Sequence, residues 1–355
     1  MTKKPSPKNL PLNTKKQLLD SAYGEVYSNK FTQKMFQAVC RYEKLNYEYC
    51  KLCETLENSR IPFMPLKGSV IRKYYSKPWM RTSSDIDVLV DKENLKNTVS
   101  CLINNLGYVE KEQTAHDISL LSPEGQHIEI HFELIEEGKA NNANQILKSV
   151  WDNAVLHDGC NYQYDMADEF FYFYHIAHIA KHFKNGGCGI RPFIDLWILD
   201  GIAGADYQKR DSLLMQGSLL TFANVALKLS KIWFDNEEHT EVTKQLEQFI
   251  LRGGEYGTTE NRVAVKQHKK GSRFKYTFSR IFVPYNIIKY RYPILQKHRW
   301  LMPVMQIRRW GMLLKPSVAK RAKNELSMIK NISKSAAGDM NSFLDEIGLL
   351  YNDNR

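Results

Sequence analysis

The sequence lacks a cysteine framework and a long apolar run. Its 355 residues include six cysteines, and the closest pair, Cys50 and Cys53, has no second pair with which to complete a zinc site. Cysteines scattered in this way are expected to be reduced, which argues against a disulfide-stapled secreted fold. No apolar run approaches the ~18 residues that a membrane-spanning helix needs, and the basic N-terminus has no signal-peptide core. A cytoplasmic location is therefore expected, with a peripheral membrane association as an extension of it.

Acidic residues are nearly missing from one long stretch near the C-terminus. Residues 262–334 contain nineteen Lys or Arg and one acidic residue, Glu325, so this stretch carries a charge of +18 although the whole chain carries only +11. Such asymmetry predicts a polyanionic partner: nucleic acid, an anionic membrane surface or a phosphorylated substrate. Aromatic residues interleave with these cations, which suits either of the first two partners. A set of short helices with a solvated basic face is the alternative.

Two carboxylates stand two residues apart in a stretch that otherwise predicts a buried strand. Asp85 and Asp87 alternate with apolar residues, so both carboxylates share one face of the strand 85–90. Two like charges held close together are unfavourable unless a positive group lies between them. Hard cations such as Mg²⁺ prefer oxygen ligands and leave positions for water and phosphate oxygens. The pair therefore predicts a divalent metal site, although D-x-D at a strand start is also a common turn or capping feature.

A second predicted strand supplies a third carboxylate. Residues 126–134 alternate cleanly, with four apolar side chains on one face and His127, Glu129, His131 and Glu133 on the other. Because this strand is expected to pair beside 85–90, Glu129 is predicted to complete the metal site. His131 follows two residues later on the same face and is expected to lie in the cleft.

These residues resemble the nucleotidyltransferase fold of the DNA polymerase β type. That fold carries a Gly-Ser pair, here Gly68-Ser69, followed after a helix by an Asp-x-Asp strand, here Asp85-Ile86-Asp87-Val88. The stretches "PLKG", "SDIDVLV", "IEIHFEL" and "HIAKHF…GIRPFIDL" are similar to an uncharacterised bacterial nucleotidyltransferase family related to aminoglycoside nucleotidyltransferases. The similarity covers roughly residues 61–199 and is expected to continue over 282–310. Fifteen residues separate the Gly-Ser pair from the Asp-x-Asp strand, more than in minimal members, and the third carboxylate is Glu rather than the commoner Asp.

The resemblance implies a role for each matching residue. Gly68 and Ser69 would meet a triphosphate, because glycine lets the backbone approach closely and free N–H groups favour anions. Lys67 and Arg81 would neutralise phosphate charge. The implied metal ligands and catalytic residues are Asp85, Asp87 and Glu129. The implied cofactor is Mg²⁺, with Mn²⁺ as an alternative, and the donor substrate is a nucleoside triphosphate such as ATP.

The expected fold is α/β (α+β in strict terms), with a small mixed β-sheet domain followed by a helical domain. Four segments are predicted: an N-terminal arm and helices (1–57), a nucleotidyltransferase catalytic domain (58–155), a helical domain (156–255) and a basic C-terminal helical extension (256–355). In the helical domain, His178 and His182 are four residues apart and share one helix face. The further cleft candidates of that domain, beside these two histidines, are Arg191 and Asp195.

The resemblance implies transfer of a nucleoside monophosphate from the triphosphate to an unknown acceptor, with release of pyrophosphate. Two alternatives stay open. One is a related-fold transferase that moves another phosphate-linked group, such as phosphocholine, onto a glycan. The other is a non-catalytic protein that docks on membrane or nucleic acid through residues 262–334.

Overall fold

The chain divides into two compact units. The computed structural model describes residues 25–134, 142–202, 204–253, 281–312 and 342–349, and the single positions 278, 316, 319 and 320. The first unit comprises the chain up to Lys111 with residues 118–132 and 156–164. The second comprises residues 112–117, 133–155 and the chain from Asp165 onward. The predicted arm before residue 25 and most of the basic stretch outside 281–312 lie outside the described residues, and the four-segment division stays a prediction.

A five-stranded mixed sheet and its helices form the part of the chain that carries the Asp-x-Asp strand. Their bounds are α1 (Glu25–Asn58), β1 (Phe63–Pro65), α2 (Lys67–Ile71), β2 (Asp85–Val90), α3 (Leu95–Leu106), β3 (Val109–Gln113), β4 (Asp117–Leu121) and β5 (His127–His131). The strand order is β1-β2-β5-β4-β3. β1 is antiparallel to β2, and β2 is parallel to β5. The mixed sheet confirms the predicted fold class.

β2 is an inner strand of this sheet, and its apolar side chains belong to the core. All of its residues except Asp85 are buried. The core of the first unit brings together apolar side chains of α1, the sheet and α3, among them Leu52, Ile86, Leu102 and Ile130. β1 lies at one edge of the sheet, where Pro65 is tolerated because an edge strand can spare a backbone N–H.

The sequence also predicts a strand at 61–66 and an amphipathic helix over 92–105 that Gly107 closes. The strand is shorter in the structure, where β1 spans Phe63–Pro65, and the helix begins three residues later than predicted. α3 ends as the sequence predicts, because Gly107 adopts a left-handed conformation with φ +69° and its N–H bonds the carbonyl of Ile103 at 3.0 Å. The structure adds β3, an edge strand with sequence VEKEQ that is mostly exposed. Charged side chains on an edge strand protect it from pairing with other chains. They also remove the apolar alternation by which a strand is predicted from sequence.

The second unit is mainly helical. Its elements are α4 (Asn142–Leu147), β6 (Ala154–Leu156), β7 (Tyr164–Met166), α5 (Asp168–Lys184), α6 (Arg191–Asp200), α7 (Tyr207–Gln216), α8 (Leu220–Asp235), α9 (Glu241–Gly253), α10 (Tyr285–Arg291), α11 (Ile294–Lys297) and α12 (Met302–Gly311). β6, which the unit boundary divides, pairs with β7. Aromatic rings form the core: Phe183 contacts Phe193, Phe222 and Phe249, with ring centroids 5.3–6.3 Å apart. These contacts join α5 to α6, α8 and α9.

The described part of the basic stretch forms short helices, as its prolines predict. α10, α11 and α12 pack around a small core of Ile288, Leu295 and Met305. Within the described residues, no helix combines the length and the apolarity that a membrane crossing requires.

Candidate active site

The candidate site lies on one face of the two neighbouring strands β2 and β5. Their parallel register pairs Asp85 with His127, Asp87 with Glu129, and Leu89 with His131. Paired residues of parallel strands point to the same side of the sheet, and side chains alternate along each strand. The predicted pairing of the two strands is therefore confirmed, and Asp87 and Glu129 are direct neighbours.

Asp87 is the most enclosed carboxylate of the site. Its side chain is only 4% exposed, and its Oδ1 accepts hydrogen bonds from Lys67 Nζ at 2.5 Å and His131 Nε2 at 2.9 Å. Burial alone would raise the pKa of Asp87, but the Lys67 ammonium and the His131 hydrogen bond outweigh it and hold that pKa far below the usual carboxyl range. Asp87 is therefore a carboxylate anion at neutral pH.

The same two hydrogen-bond donors also approach Glu129. Lys67 Nζ lies 3.9 Å from Glu129 Oε2, and His131 Nε2 lies 3.4 Å from that atom. Burial would lower the pKa of His131, but its hydrogen bonds to Asp87 and Glu129 raise it above the usual histidine value. Lys67 thus supplies, from the chain itself, positive charge beside the two adjacent carboxylates, and His131 supplies a hydrogen bond to them.

Three side chains of the site are close enough to share one metal ion. Ligand atoms of Asp87, Glu129 and His131 all lie within 4.8 Å of one another, and within the described ranges no other such group of acidic, His or Cys side chains occurs. The two carboxylates fit a divalent cation such as Mg²⁺ or Mn²⁺, and an imidazole ligand beside them suits a softer cation such as Zn²⁺ better than Mg²⁺. The sequence predicted two of these three residues as ligands and expected the histidine only in the cleft.

Asp85 occupies a different position from the one predicted for a third ligand. It is partly buried at the start of β2, on the same face as Asp87, and its Oδ1 accepts a hydrogen bond from Ser83 Oγ at 3.0 Å. Because Asp85 lies outside the three-residue cluster, its role as a metal ligand stays a prediction.

The turn from β1 into α2 brings backbone close to the carboxylates. Leu66 N–H donates to the Asp87 carbonyl at 2.9 Å, and Lys67 then adopts φ +46°, a conformation that non-glycine residues rarely take. A Cβ added at Gly68 would lie 2.9 Å from Ser83 Oγ and 3.7 Å from an Arg81 nitrogen. Two segments therefore approach closely at Gly68, where any larger residue would force Ser83 to shift, and Arg81 lies beside it.

Two buried polar atoms just after this turn, one in α2 and one directly after it, have no hydrogen-bond partner within the described structure. They are the hydroxyl oxygen of Ser69 and the Nη2 nitrogen of Arg72. Buried polar groups are normally paired, and a bound water or anion can pair with donors such as these. Both are donors and lie close to Gly68, whose carbonyl accepts from Arg72 Nε at 2.8 Å. An anion such as a phosphate would satisfy them.

Arg72 lies beside Gly68 and was not predicted as a site residue from the sequence. Its side chain is buried, which lowers its pKa, and its charged head lies 5.9 Å from the ring centre of Tyr42. The signal was its position four residues after Gly68, which places it one helical turn beyond the glycine.

Comparison with known families decides the class to which this site belongs. The model of a family described as "Uncharacterised nucleotidyltransferase" matches residues 10–235, well over half of the chain. The chain belongs to this nucleotidyltransferase family. The protein is accordingly a transferase of phosphorus-containing groups. No curated protein and no solved structure matches the chain. The nucleotidyltransferase match ends before residues 282–310, to which the sequence similarity was expected to continue.

The remaining predicted cleft residues of the nucleotidyltransferase belong to the second unit. His178 and His182 contact each other on α5, with their Nε2 atoms 3.0 Å apart. Arg191 is exposed at the first residue of α6, and Asp195 is buried on the same helix. The role of these four residues in a cleft stays a prediction.

Proposed function

We propose that the protein transfers a nucleoside monophosphate from a nucleoside triphosphate to an acceptor, with Mg²⁺ as cofactor and pyrophosphate as the leaving group. The proposal rests on two kinds of group that lie near each other: side chains that can bind a metal ion, and buried hydrogen-bond donors that can bind an anion. Asp87, Glu129 and His131 are arranged for a divalent cation. The orphaned donors of Ser69 and Arg72 lie in α2 and directly after it, ahead of these strands in the chain, and are suited to an anion. A metal–triphosphate complex has both requirements.

The carboxylates would hold the metal. Asp87 and Glu129, with His131 and with Asp85 on the same strand face, are the residues proposed to bind it. When bound, Mg²⁺ supplies neutralisation of the triphosphate charge and activation of an attacking oxygen. Without a metal, His131 Nε2 bonds both carboxylates, and this nitrogen would have to release its proton before it could serve as a metal ligand.

The turn around Gly68 would bind the phosphates. Gly68 permits the backbone to approach, the Ser69 hydroxyl and the Arg72 guanidinium donate to phosphate oxygens, and Arg81 adds positive charge beside them. Lys67 contacts both Asp87 and Glu129. If a metal ion neutralised these carboxylates, the Lys67 ammonium group would be able to contact the triphosphate as well. Catalysis in this scheme is positioning plus electrostatic stabilisation.

The test follows the α phosphorus and the γ phosphorus of the triphosphate separately. The protein is incubated with Mg²⁺, an acceptor-containing cell extract and nucleoside triphosphates labelled at the α or the γ phosphorus. The proposal predicts that the α label enters an acceptor while the γ label leaves as pyrophosphate. The Asp87→Asn variant should abolish transfer, whereas Asp117→Asn, which changes another buried aspartate of the same sheet, should retain it.

Two outcomes would contradict the proposal. Transfer of the γ label would make the protein a kinase. Release of CMP from CDP-choline, with no labelled product from any nucleoside triphosphate, would identify the alternative transferase of a phosphate-linked group.

A further inference from the structure

We propose that residues 281–312, the basic helical cluster, form a docking surface for an anionic lipid bilayer. This inference goes beyond the transferase reaction, and the family match ends at residue 235, well before the cluster. The cluster contains six Lys or Arg and no acidic residue. Its charge is therefore complementary to the headgroups of an anionic leaflet.

The cluster is folded around its own small core, so its cations are held in place. Arg299 lies over the ring of Tyr285 at 4.5 Å, Lys289 over Tyr290 at 4.7 Å, and Arg308 over Tyr292 at 5.7 Å. Gln306 Nε2 donates to the Val283 carbonyl at 2.6 Å and ties α12 to the start of the cluster. These contacts present the positive charges on an ordered scaffold.

Apolar side chains stand exposed beside these cations. On α10, Ile287 is 59% exposed and shares a helix face with Arg291; on α12, Ile307 is 63% exposed and neighbours Arg308. Ile294 and Lys297 repeat the pairing on α11, and both are exposed. The same combination of aliphatic residues and cations characterises helices that lie in a membrane interface.

Trp300 adds a residue type that favours the interface itself. It is 75% exposed, between α11 and α12. Tryptophan is enriched where a protein meets the headgroup layer, because its ring is apolar and its N–H is polar.

The exposed aliphatic residues favour lipid over nucleic acid as the partner. Single-stranded nucleic acid binds through cations and open aromatic faces on which bases stack. In this cluster three tyrosine rings already lie under cations, and the most exposed apolar side chains after the single Trp300 are the aliphatic Ile307, Ile287 and Val304. Aliphatic side chains gain little from a base or a phosphate, but they gain from entering the acyl boundary of a bilayer.

The experiment is co-sedimentation of the full-length protein with vesicles of phosphatidylcholine, with and without phosphatidylglycerol, over a range of salt concentrations. Two triple variants divide the surface into its parts: Ile287→Ser/Ile294→Ser/Ile307→Ser, and Arg291→Glu/Lys297→Glu/Arg308→Glu. Matched controls change equally exposed residues elsewhere: Val155→Ser/Met215→Ser/Leu251→Ser, and Lys34→Glu/Lys96→Glu/Lys111→Glu. Circular dichroism and thermal unfolding verify that each variant is folded.

The proposal predicts binding to anionic but not to neutral vesicles, weakened about tenfold or more by each triple variant and little by either control. Three results would overturn it. The wild type could fail to distinguish anionic from neutral vesicles. The serine variant could bind as well as the wild type, which would make the surface a purely electrostatic polyanion site. A single-stranded oligonucleotide could bind more tightly than the anionic vesicles and lose affinity in the same variants.

Discussion

Lys67 and His131 place two hydrogen-bond donors on the same oxygen of Asp87, and both donors also face Glu129. Part of the negative charge of the two carboxylates is therefore offset before any metal binds. In the proposed reaction, a metal on these carboxylates would share them with an ammonium group, and the triphosphate would provide a new negative partner for that group. Metal binding and nucleotide binding would then be linked through the Lys67 side chain.

Replacing Lys67 by Met tests that link. Without nucleotide, Mn²⁺ should bind the variant more tightly than the wild type by about tenfold, because the repulsion by a nearby cation is gone. With nucleotide, turnover should fall by ~10²-fold or more, as expected when one preorganised charge donor is removed. Calorimetry with Mn²⁺ measures the first effect, and Lys67→Arg is the charge-preserving control. An unchanged or weaker Mn²⁺ affinity in the Met variant would contradict this offset of charge.

Glu57 links the end of α1 by hydrogen bonds to a loop that is far away in the sequence. Its carboxylate accepts backbone N–H groups of Asn161, Tyr162 and Gln163 at 2.5–3.2 Å. Desolvation would raise the pKa of Glu57, but these hydrogen bonds together lower it below the ordinary value of 4.5. A carboxyl group with a lowered folded-state pKa stabilises the fold above its unfolded pKa, and that contribution is lost as the pH falls through the folded value.

Glu57→Gln should therefore destabilise the protein at pH 7 and not in acid. The expected loss at pH 7 is about 1 kcal/mol, below the ~1.5–3 kcal/mol typical of hydrogen bonds to charged groups, because the carboxylate is close to solvent. Urea unfolding of both proteins measured from pH 7 down to pH 3 gives the difference. The account requires the two curves to converge as the pH falls below about 4.5; a difference that stays constant with pH would show that the charge plays no part.

The end of α7 packs so closely on α5 that only glycine fits there. A Cβ added at Gly217 would lie 2.5 Å from Cε2 and 2.8 Å from Cζ of Phe173, a ring that is fully buried. Gly217→Ala should therefore destabilise the protein by ~1–3 kcal/mol, the usual cost of overpacking a core. Thermal unfolding measures it, with Gly201→Ala as control, since a Cβ at that position would make only ordinary contacts of 3.6 Å or more. Equal stability of the two variants would contradict the tight packing.

The elements that the sequence predicts well are those whose pattern is local. β2 has the predicted bounds, 85–90, because its apolar residues and the two aspartates among them form one short run of sequence. The edge strand β3 was missed because its charged residues suit solvent on both faces. In the cluster of Asp87, Glu129 and His131, the first two were predicted as ligands, and strand alternation placed His131 only in the cleft. The contact of Lys67 with Asp87 depends on a positive φ at Lys67, which no spacing in the sequence encodes.

For the whole molecule, the family match and the charge distribution describe different parts of the chain. The nucleotidyltransferase match covers residues 10–235, whereas the basic helical cluster lies at 281–312. The proposed chemistry and the proposed membrane docking can therefore be tested independently. Variants of the cluster should leave nucleotide binding unchanged, and variants of Asp87 should leave vesicle binding unchanged.

Calorimetric titration of the full-length protein with each of the four nucleoside triphosphates, with and without Mg²⁺, measures directly whether Asp87 holds a metal–triphosphate complex. The wild type, Asp87→Asn and the control Asp117→Asn are compared, after thermal unfolding verifies that all three are folded. The account predicts that at least one triphosphate binds only with Mg²⁺, that Asp87→Asn loses this binding, and that Asp117→Asn keeps it. Binding that persists without Mg²⁺ or in a folded Asp87→Asn variant would contradict the metal–triphosphate site, as would a wild type that binds none of the four.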